Sequence, residues 1–427
     1  MKRGRGKDVD FSYVSAVCGF PAAWALTTVS RAAAPLMIML VALSSGCVGG
    51  TPRSVVPVNL APIAAVEGVT FARFWGDEVS PDIRAAVTQQ YEQTARAVRD
   101  GRRAADELRR ADFLAISGGG ADGAFSAGFL KGWSSREDRP AFEVVTGVST
   151  GALAAPFAFL GSAYDGQLEE VFTAYGDRDI YIDRGLIGLV GSGLYDNAPL
   201  RSLIARYMTD AMVEAIAAEH RLGRRLLIQT TNIDAQRPVI WDLTAIAASA
   251  RPDRRERMVD ILLASAALPA IFPPVRLDVL AAGEPHQELH VDGATVSQVF
   301  FAPPNLRLVD YERRFFGLPR ERTLYLIRNG RLDPEYAATQ ETTIGIARRS
   351  IETLVKYQAV ADLVRLETQA RAANGKVLFT AIPAGFERKP KSEFDRPYMR
   401  ELFQIGIREG SAGNWRRQAP RTPTAAR

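Results

Sequence analysis

An α/β fold, a mostly parallel sheet covered by helices, is predicted by two strand-turn-helix units in direct succession and by several apolar runs downstream. The first unit reads Phe113-Leu114-Ala115-Ile116 as a strand, Ser117-Gly118-Gly119-Gly120 as a break and 121–133 as a helix. The second reads 142–146 as a strand, Gly147-Val148-Ser149-Thr150-Gly151 as a sharp turn and 152–160 as an apolar helix. Further strands are expected at 225–230, 238–243, 288–291 and 323–328. Consecutive units of this kind need right-handed crossovers, which parallel strands require.

Composition narrows the chemistry. With 427 residues, 47% hydrophobic and 24% charged, the chain can bury a large core, and a disordered, collagen-like or coiled-coil chain is excluded. The length fits one large domain with extensions, or two domains. The formal charge is +5, but the first 46 residues hold five basic and two acidic side chains; without them the balance is +2, too even for a nucleic-acid partner. Two cysteines, Cys18 and Cys47, make neither a disulfide framework nor a structural zinc site, and His220, His286 and His290 leave little for a histidine-rich metal centre. No metal or cofactor is expected. Chemistry falls to Ser, Asp and backbone groups.

At the N-terminus, Lys2, Arg3, Arg5, Lys7 and Arg31 precede an uncharged run over 32–43 that ends in Ser44-Ser45-Gly46-Cys47. The run is too short to cross a bilayer core of about 30 Å and reads as an export signal. It resembles a bacterial lipoprotein signal, cut before a cysteine that is then lipidated; Ser45-Gly46-Cys47 fits that box, with Ser44 where Leu is usual. The resemblance implies a 1–46 signal peptide, Cys47 as the lipidated first mature residue and a location in the bacterial cell envelope, on the periplasmic side. An ordinary secretory signal with a chance cysteine is the alternative. Residues 48–62, rich in Gly, Pro and Val, read as a tether, and 84–110 as a helix whose Arg102, Arg103, Arg109 and Arg110 form a solvated face.

Both turns have a chemical reading. Gly147-Val148-Ser149-Thr150-Gly151 matches G-x-S-x-G, the elbow that projects a nucleophilic serine at the top of a sheet, and it has the strand before and helix after that the motif needs. Gly118-Gly119-Gly120-Ala121-Asp122-Gly123 contains a G-x-G-x-x-G string, yet no Lys-Ser/Thr pair follows and no acid stands out as a ribose ligand. Beside an elbow, free amides at a helix start read better as an oxyanion hole than as a nucleotide cradle. A serine needs a base. Two readings compete at the strand end 288–291: His290 in a Ser-His-Asp triad, or Asp292 alone.

The glycine loop, the elbow and Asp292-Gly293-Ala294, in that order, resemble the patatin-like phospholipases, as does the 264–275 segment Ala-Ser-Ala-Ala-Leu-Pro-Ala-Ile-Phe-Pro-Pro-Val. The resemblance covers about 112–304. It implies a three-layer α/β/α fold and a Ser-Asp acyl hydrolase acting on lipid or acyl-ester substrates at a membrane surface. By position, Ser149 becomes nucleophile, Asp292 base, and Gly118, Gly119 and Gly120 the oxyanion-hole loop, supported by Gly123, Gly147, Gly151, Gly293 and Ala294. His290 then becomes an ordinary strand residue. The family often has Arg or Lys where Asp122 stands, so the Asp122 side chain is expected to turn away from Ser149, and a general acyl esterase gains ground on a phospholipase.

The expected division is 47–110 as tether and helical extension, 111–305 as catalytic domain, 306–410 as a C-terminal α/β extension without catalytic groups, and 411–427 as a disordered tail. Within the extension, 341–373 and 393–409 read as helices and 376–382 as a strand. The apolar 186–191 segment reads either as a lipid-facing lid or as core. The alternatives to a lipid esterase are a non-catalytic envelope lipoprotein that binds acyl chains or a partner, and a peptidase.

Overall fold

The computed structural model describes residues 52–185, 188 and 191–417; the signal region with Cys47, most of the 186–191 segment and 418–427 lie outside the described residues. Everything below belongs to the compact unit that begins at Arg53.

After β1 (Arg73–Trp75) comes α1 (Pro81–Arg99), capped by the Ser80 hydroxyl, which accepts from the Ile83 amide at 3.2 Å. The 84–110 helix expected from charge content stops early because Asp100-Gly101 closes it. Gly101 has φ +69°, and the Arg102 and Gly101 amides donate back to Ala97 and Val98 carbonyls at 2.8 and 3.0 Å, the Schellman arrangement. Arg103 also departs from expectation: its side chain is buried and pairs with Glu107 and Glu143.

β2 (Arg110–Ile116), α2 (Gly123–Ser134), β3 (Val144–Val148) and α3 (Thr150–Leu160) realise the two strand-turn-helix units. Then follow α4 (Asp165–Thr173), the short antiparallel pair β4 (Ile182–Asp183) and β5 (Tyr195–Asp196), α5 (Ala198–Tyr207), α6 (Asp210–Arg221), β6 (Arg225–Asn232), β7 (Arg237–Asp242), α7 (Leu243–Ala247) and α8 (Arg254–Ser265). A hairpin of β8 (Val275–Ala281) and β9 (Glu284–Asp292) leads to α9 (Leu308–Phe316), β10 (Glu321–Arg328), α10 (Thr343–Ala372), β11 (Lys376–Ala381) and α11 (Arg396–Ala412). His286 lies on β9, because Ala282 and Gly283, at φ +53° and +86°, close a tight hairpin before it.

Among the described residues nine strands form one sheet, ordered β1-β7-β6-β3-β2-β10-β11, with β9 pairing β6 and β8. The stretch from β6 through β3, β2 and β10 to β11 is parallel; β1, β7 and β9 run antiparallel to their neighbours. Alternation along β2 sorts the faces. Leu114 and Ile116 meet the core shared with Phe125, Phe129, Ala152 and Phe403, while Phe113 and Ala115 meet Leu363 and Leu366 of α10. Helices cover both faces, giving three layers.

The expected division does not follow the sheet. β10 of the supposed extension lies beside β2 in the middle, pairing Leu324–Phe113 and Leu326–Ala115, and the 53–62 stretch lies along the β8–β9 hairpin, with the Gln287 amide donating to the Ser54 carbonyl at 2.7 Å. Nor is 411–417 a loose tail: Trp415 stacks edge-on against Phe129, Trp133 and Tyr325, with ring centroids 4.8, 4.9 and 5.1 Å away.

Glycines bring α2 and α11 together. A Cβ at Gly128 or Gly132 would lie 2.0 and 2.2 Å from the carbonyl oxygens of Phe403 and Ile407; at Gly406 or Gly410 it would lie 2.4 and 2.1 Å from those of Phe125 and Phe129. Two reciprocal small-xxx-small patterns thus set a backbone-to-backbone crossing. Gly406→Ala or Gly410→Ala is expected to lower stability by about 1–3 kcal/mol through overpacking, whereas Gly166→Ala on α4, with open space around it, should be neutral or mildly stabilising. Urea unfolding midpoints check the contrast.

Candidate active site

The site collects where β2, β3 and β9 end. Ser149 follows β3 and precedes α3, with φ +54° and ψ −126°, a conformation that non-glycine residues rarely hold. Glycines make room for it. A Cβ at Gly147 would sit 2.5 Å from the Gly151 carbonyl oxygen, and one at Gly151 would sit 2.3 Å from that of Ile116. Gly151 therefore also presses the elbow against the end of β2, where the glycine loop starts.

Ser149 Oγ donates to Asp292 Oδ2 at 2.6 Å. The other carboxylate oxygen, Oδ1, accepts from the Ala294 amide at 2.8 Å, and the Asp292 amide donates to the Ala267 carbonyl at 2.9 Å. Gly293 lets this turn lie on β6, since a Cβ there would meet the Gln229 carbonyl oxygen at 2.4 Å. Asp292 is buried, and burial pushes its carboxyl up to about 7 against the opposing hydrogen bonds from Ser149 and Ala294. It therefore titrates where a general base is useful.

His290 takes no part in this contact. Its Nδ1 lies 2.8 Å from Thr230 Oγ1 and its Nε2 3.1 Å from Glu288, whose carboxylate is also held by Arg73. Burial lowers its pKa. His220 and His286 are likewise occupied, at 3.0 Å from Thr244 Oγ1 and 3.2 Å from Ser54 Oγ.

The glycine loop corrects one expectation. Gly118 cannot serve as an oxyanion donor, because its amide already donates to the Gln298 carbonyl at 3.1 Å; its part is steric, a Cβ there lying 3.1 Å from Ser149 Cβ. Gly119 and Gly120 are exposed, and neither amide has an acceptor among the described residues. Gly120 has φ +56°, and its carbonyl accepts from Thr150 Oγ1 at 3.0 Å. Gly123 lets the following helix meet the elbow, where a Cβ would lie 2.0 Å from Thr150 Cγ2. Asp122 turns to Tyr398 of α11, whose hydroxyl donates to Oδ1 at 2.5 Å; burial raises its carboxyl pKa.

Several contributors escaped the sequence reading. Ser265, inside the 264–275 segment, accepts from the Ser149 amide at 3.0 Å and donates to the Gln229 carbonyl at 2.7 Å, fixing the strained residue from behind. Gln229 Nε2 holds the Gly293 carbonyl at 3.0 Å. From the end of β10, the Asn329 amide donates to Ser117 Oγ at 2.9 Å, Asn329 Nδ2 to the Ser117 carbonyl at 2.9 Å, and Arg328 Nη1 to the Gly118 carbonyl at 3.0 Å. The C-terminal part, read as lacking active-site groups, thus supports the glycine loop. Its only cue was a strand ending in Arg-Asn-Gly.

Residues 114–304, just under half of the chain, match the family model described as patatin-like phospholipase. Among solved structures, VipD from Legionella pneumophila is similar at 13% identity, covering 71% of this chain and 67% of that one, with a TM-score of 0.38. The type III effector protein ExoU is similar at 12% identity over 70% of this chain and 53% of its own, with a TM-score of 0.26. This chain thus spans about half of ExoU's length. No curated protein sequence matches the chain.

The Asp292 shift has a consequence for stability. Its pKa rises from 3.8 to about 7 on folding, so the folded protein keeps a proton that the unfolded chain releases. The stabilisation is fully present below the unfolded value and is lost as pH rises through 7. Asp292→Asn, which cannot ionise, is expected to gain stability over wild type on going from pH 5 to pH 8.5, by on the order of 2–4 kcal/mol. Urea unfolding of both proteins across that range reads the crossover.

Proposed function

We propose that the chain, whose residues 114–304 match the patatin-like phospholipase model, is a hydrolase that cleaves lipid acyl esters with Ser149 as nucleophile and Asp292 as base. The observation that carries the reading is the 2.6 Å hydrogen bond from Ser149 Oγ to Asp292 Oδ2 at a strained turn. Such strain persists only where the surroundings impose it. A protein that merely binds acyl chains has no use for a serine held in this conformation against a buried carboxylate.

In the proposed reaction Asp292 takes the Ser149 proton as Oγ attacks the ester carbonyl. The amides of Gly119 and Gly120 donate to the oxygen that becomes negative, and the N-terminus of α3 adds its dipole. Collapse of the tetrahedral intermediate returns the proton to the leaving alcohol and leaves an acyl-serine. Water then gives its proton to Asp292, attacks the acyl group, and frees the acid with Ser149 restored. Because the carboxyl titrates near 7, it is ionised in a useful fraction at neutral pH yet basic enough to accept a proton.

The proposal includes a lipid anchor at Cys47 and a location in the bacterial cell envelope. The support is the Ser45-Gly46-Cys47 sequence alone. Mass spectrometry of protein expressed in bacteria should find a diacylated N-terminal Cys47, absent from Cys47→Ser; an unmodified mature protein refutes the anchor.

Ser149→Ala should remove turnover of p-nitrophenyl esters and phospholipids while leaving the unfolding transition in place. Asp292→Asn should lose at least about a hundredfold in kcat/KM, and His290→Ala should retain rate in whatever fraction stays folded. The reverse ranking of the last two would establish a triad. kcat/KM should rise with pH through an apparent pKa of about 7, and a rate flat between pH 5 and 8 would remove Asp292 as base.

A further inference from the structure

Arg328 is a buried cation that the proposed mechanism leaves unused. Its side chain makes no ion pair among the described residues, and its Nε has no hydrogen-bond partner there. Burial pushes its pKa down to about 10, so it stays charged at neutral pH, with the charges of Asp122, Asp362 and Glu335 opposing that shift. What its Nη1 does reach is the Gly118 carbonyl at 3.0 Å and Ser117 Oγ at 3.2 Å. Ser117 Oγ in turn donates to the same carbonyl at 2.8 Å.

The carbonyl of Gly118 and the N–H of Gly119 belong to one planar trans peptide, in which they point in opposite directions. Two donors, one of them cationic, hold the carbonyl end. The amide end is exposed and without an acceptor among the described residues. A cation on the carbonyl draws electron density from the amide nitrogen, which strengthens the N–H as a donor, and it fixes the direction in which that N–H points. The loop has little room to turn, because a Cβ at Gly119 would lie 2.3 Å from the Asn329 carbonyl oxygen.

We propose that Arg328 is a positioning residue for the oxyanion donor, orienting and polarising the Gly119 N–H through the Gly118–Gly119 peptide. The inference rests on the acyl-hydrolase reading. It supplies a cation to a glycine loop whose own fifth position is Asp122, and it does so from β10, beyond the segment that matches the family model.

The test compares wild type, Arg328→Gln and Arg328→Lys on p-nitrophenyl butyrate, together with inhibition by an alkyl trifluoromethyl ketone, whose adduct with Ser149 carries the negative oxygen. Arg328→Gln should lower kcat by roughly 10- to 100-fold, short of losing a donor outright, with KM nearly unchanged and ketone affinity falling by a similar factor. Arg328→Lys should keep more of both. Because Arg328→Gln leaves a buried gap, Ser117→Ala is measured beside it; it removes the neutral donor to the same carbonyl and should show the same signature more weakly. A folded Arg328→Gln enzyme with unchanged kcat overturns the inference alone. So does a loss in kcat with ketone affinity intact, or a change confined to KM. Absence of wild-type turnover that depends on Ser149 overturns the hydrolase reading and this inference together.

Discussion

The hydrogen bond between Ser149 and Asp292 joins two strands that are not neighbours. β3 and β9 each pair with β6, in opposite directions, and the register of β6 decides whether the two side chains meet. Val148 lies opposite Gln229, which puts Ser149 at the level of Thr230, and Thr230 lies opposite Asp292. A slip of one residue would turn one partner to the other face of the sheet, the carboxylate if β9 slipped on β6 and the serine if β3 did. That register is pinned on both sides. Ser265 bridges the Ser149 amide to the Gln229 carbonyl, and Thr231 Oγ1 donates to the Asp292 carbonyl at 3.0 Å.

Space is the second constraint. Where β2, β3 and β9 end, backbones approach so closely that Gly119, Gly123, Gly147, Gly151 and Gly293 have no room for a side chain. These glycines do different things. Gly147 and Gly151 let the elbow form, Gly293 seats the Asp292 turn on β6, and Gly119 presses the loop onto Asn329. Gly118 spends its amide on the Gln298 carbonyl and so anchors the loop.

Burial shapes the electrostatics. Asp292 has two hydrogen bonds to its carboxylate and no cation paired with it among the described residues, so desolvation prevails and its pKa rises to about 7. Asp122, half-buried, is satisfied by Tyr398 and directed away from Ser149. The two carboxyls are thus separated by their partners: one aims at the serine, the other ties the start of α2 to α11.

The fold class, the two strand-turn-helix units and the elbow and glycine loop as candidate site segments were legible in the sequence, because strand alternation, glycine turns and helix starts act over a few residues and leave their mark there; the preference for Asp292 over His290 came only with the family resemblance. The end of α1 at Asp100-Gly101 is equally local, a left-handed glycine closing a helix although charged residues continue past it. The allotment of amides within the loop, the seat of β10 beside β2, the glycine crossing of α2 on α11 and the contact of Arg328 with Gly118, 210 residues apart in the chain, were decided only in three dimensions. Partners so far apart are chosen by packing and by the need to satisfy buried polar groups. No periodicity or spacing along the chain records which distant group will answer that need.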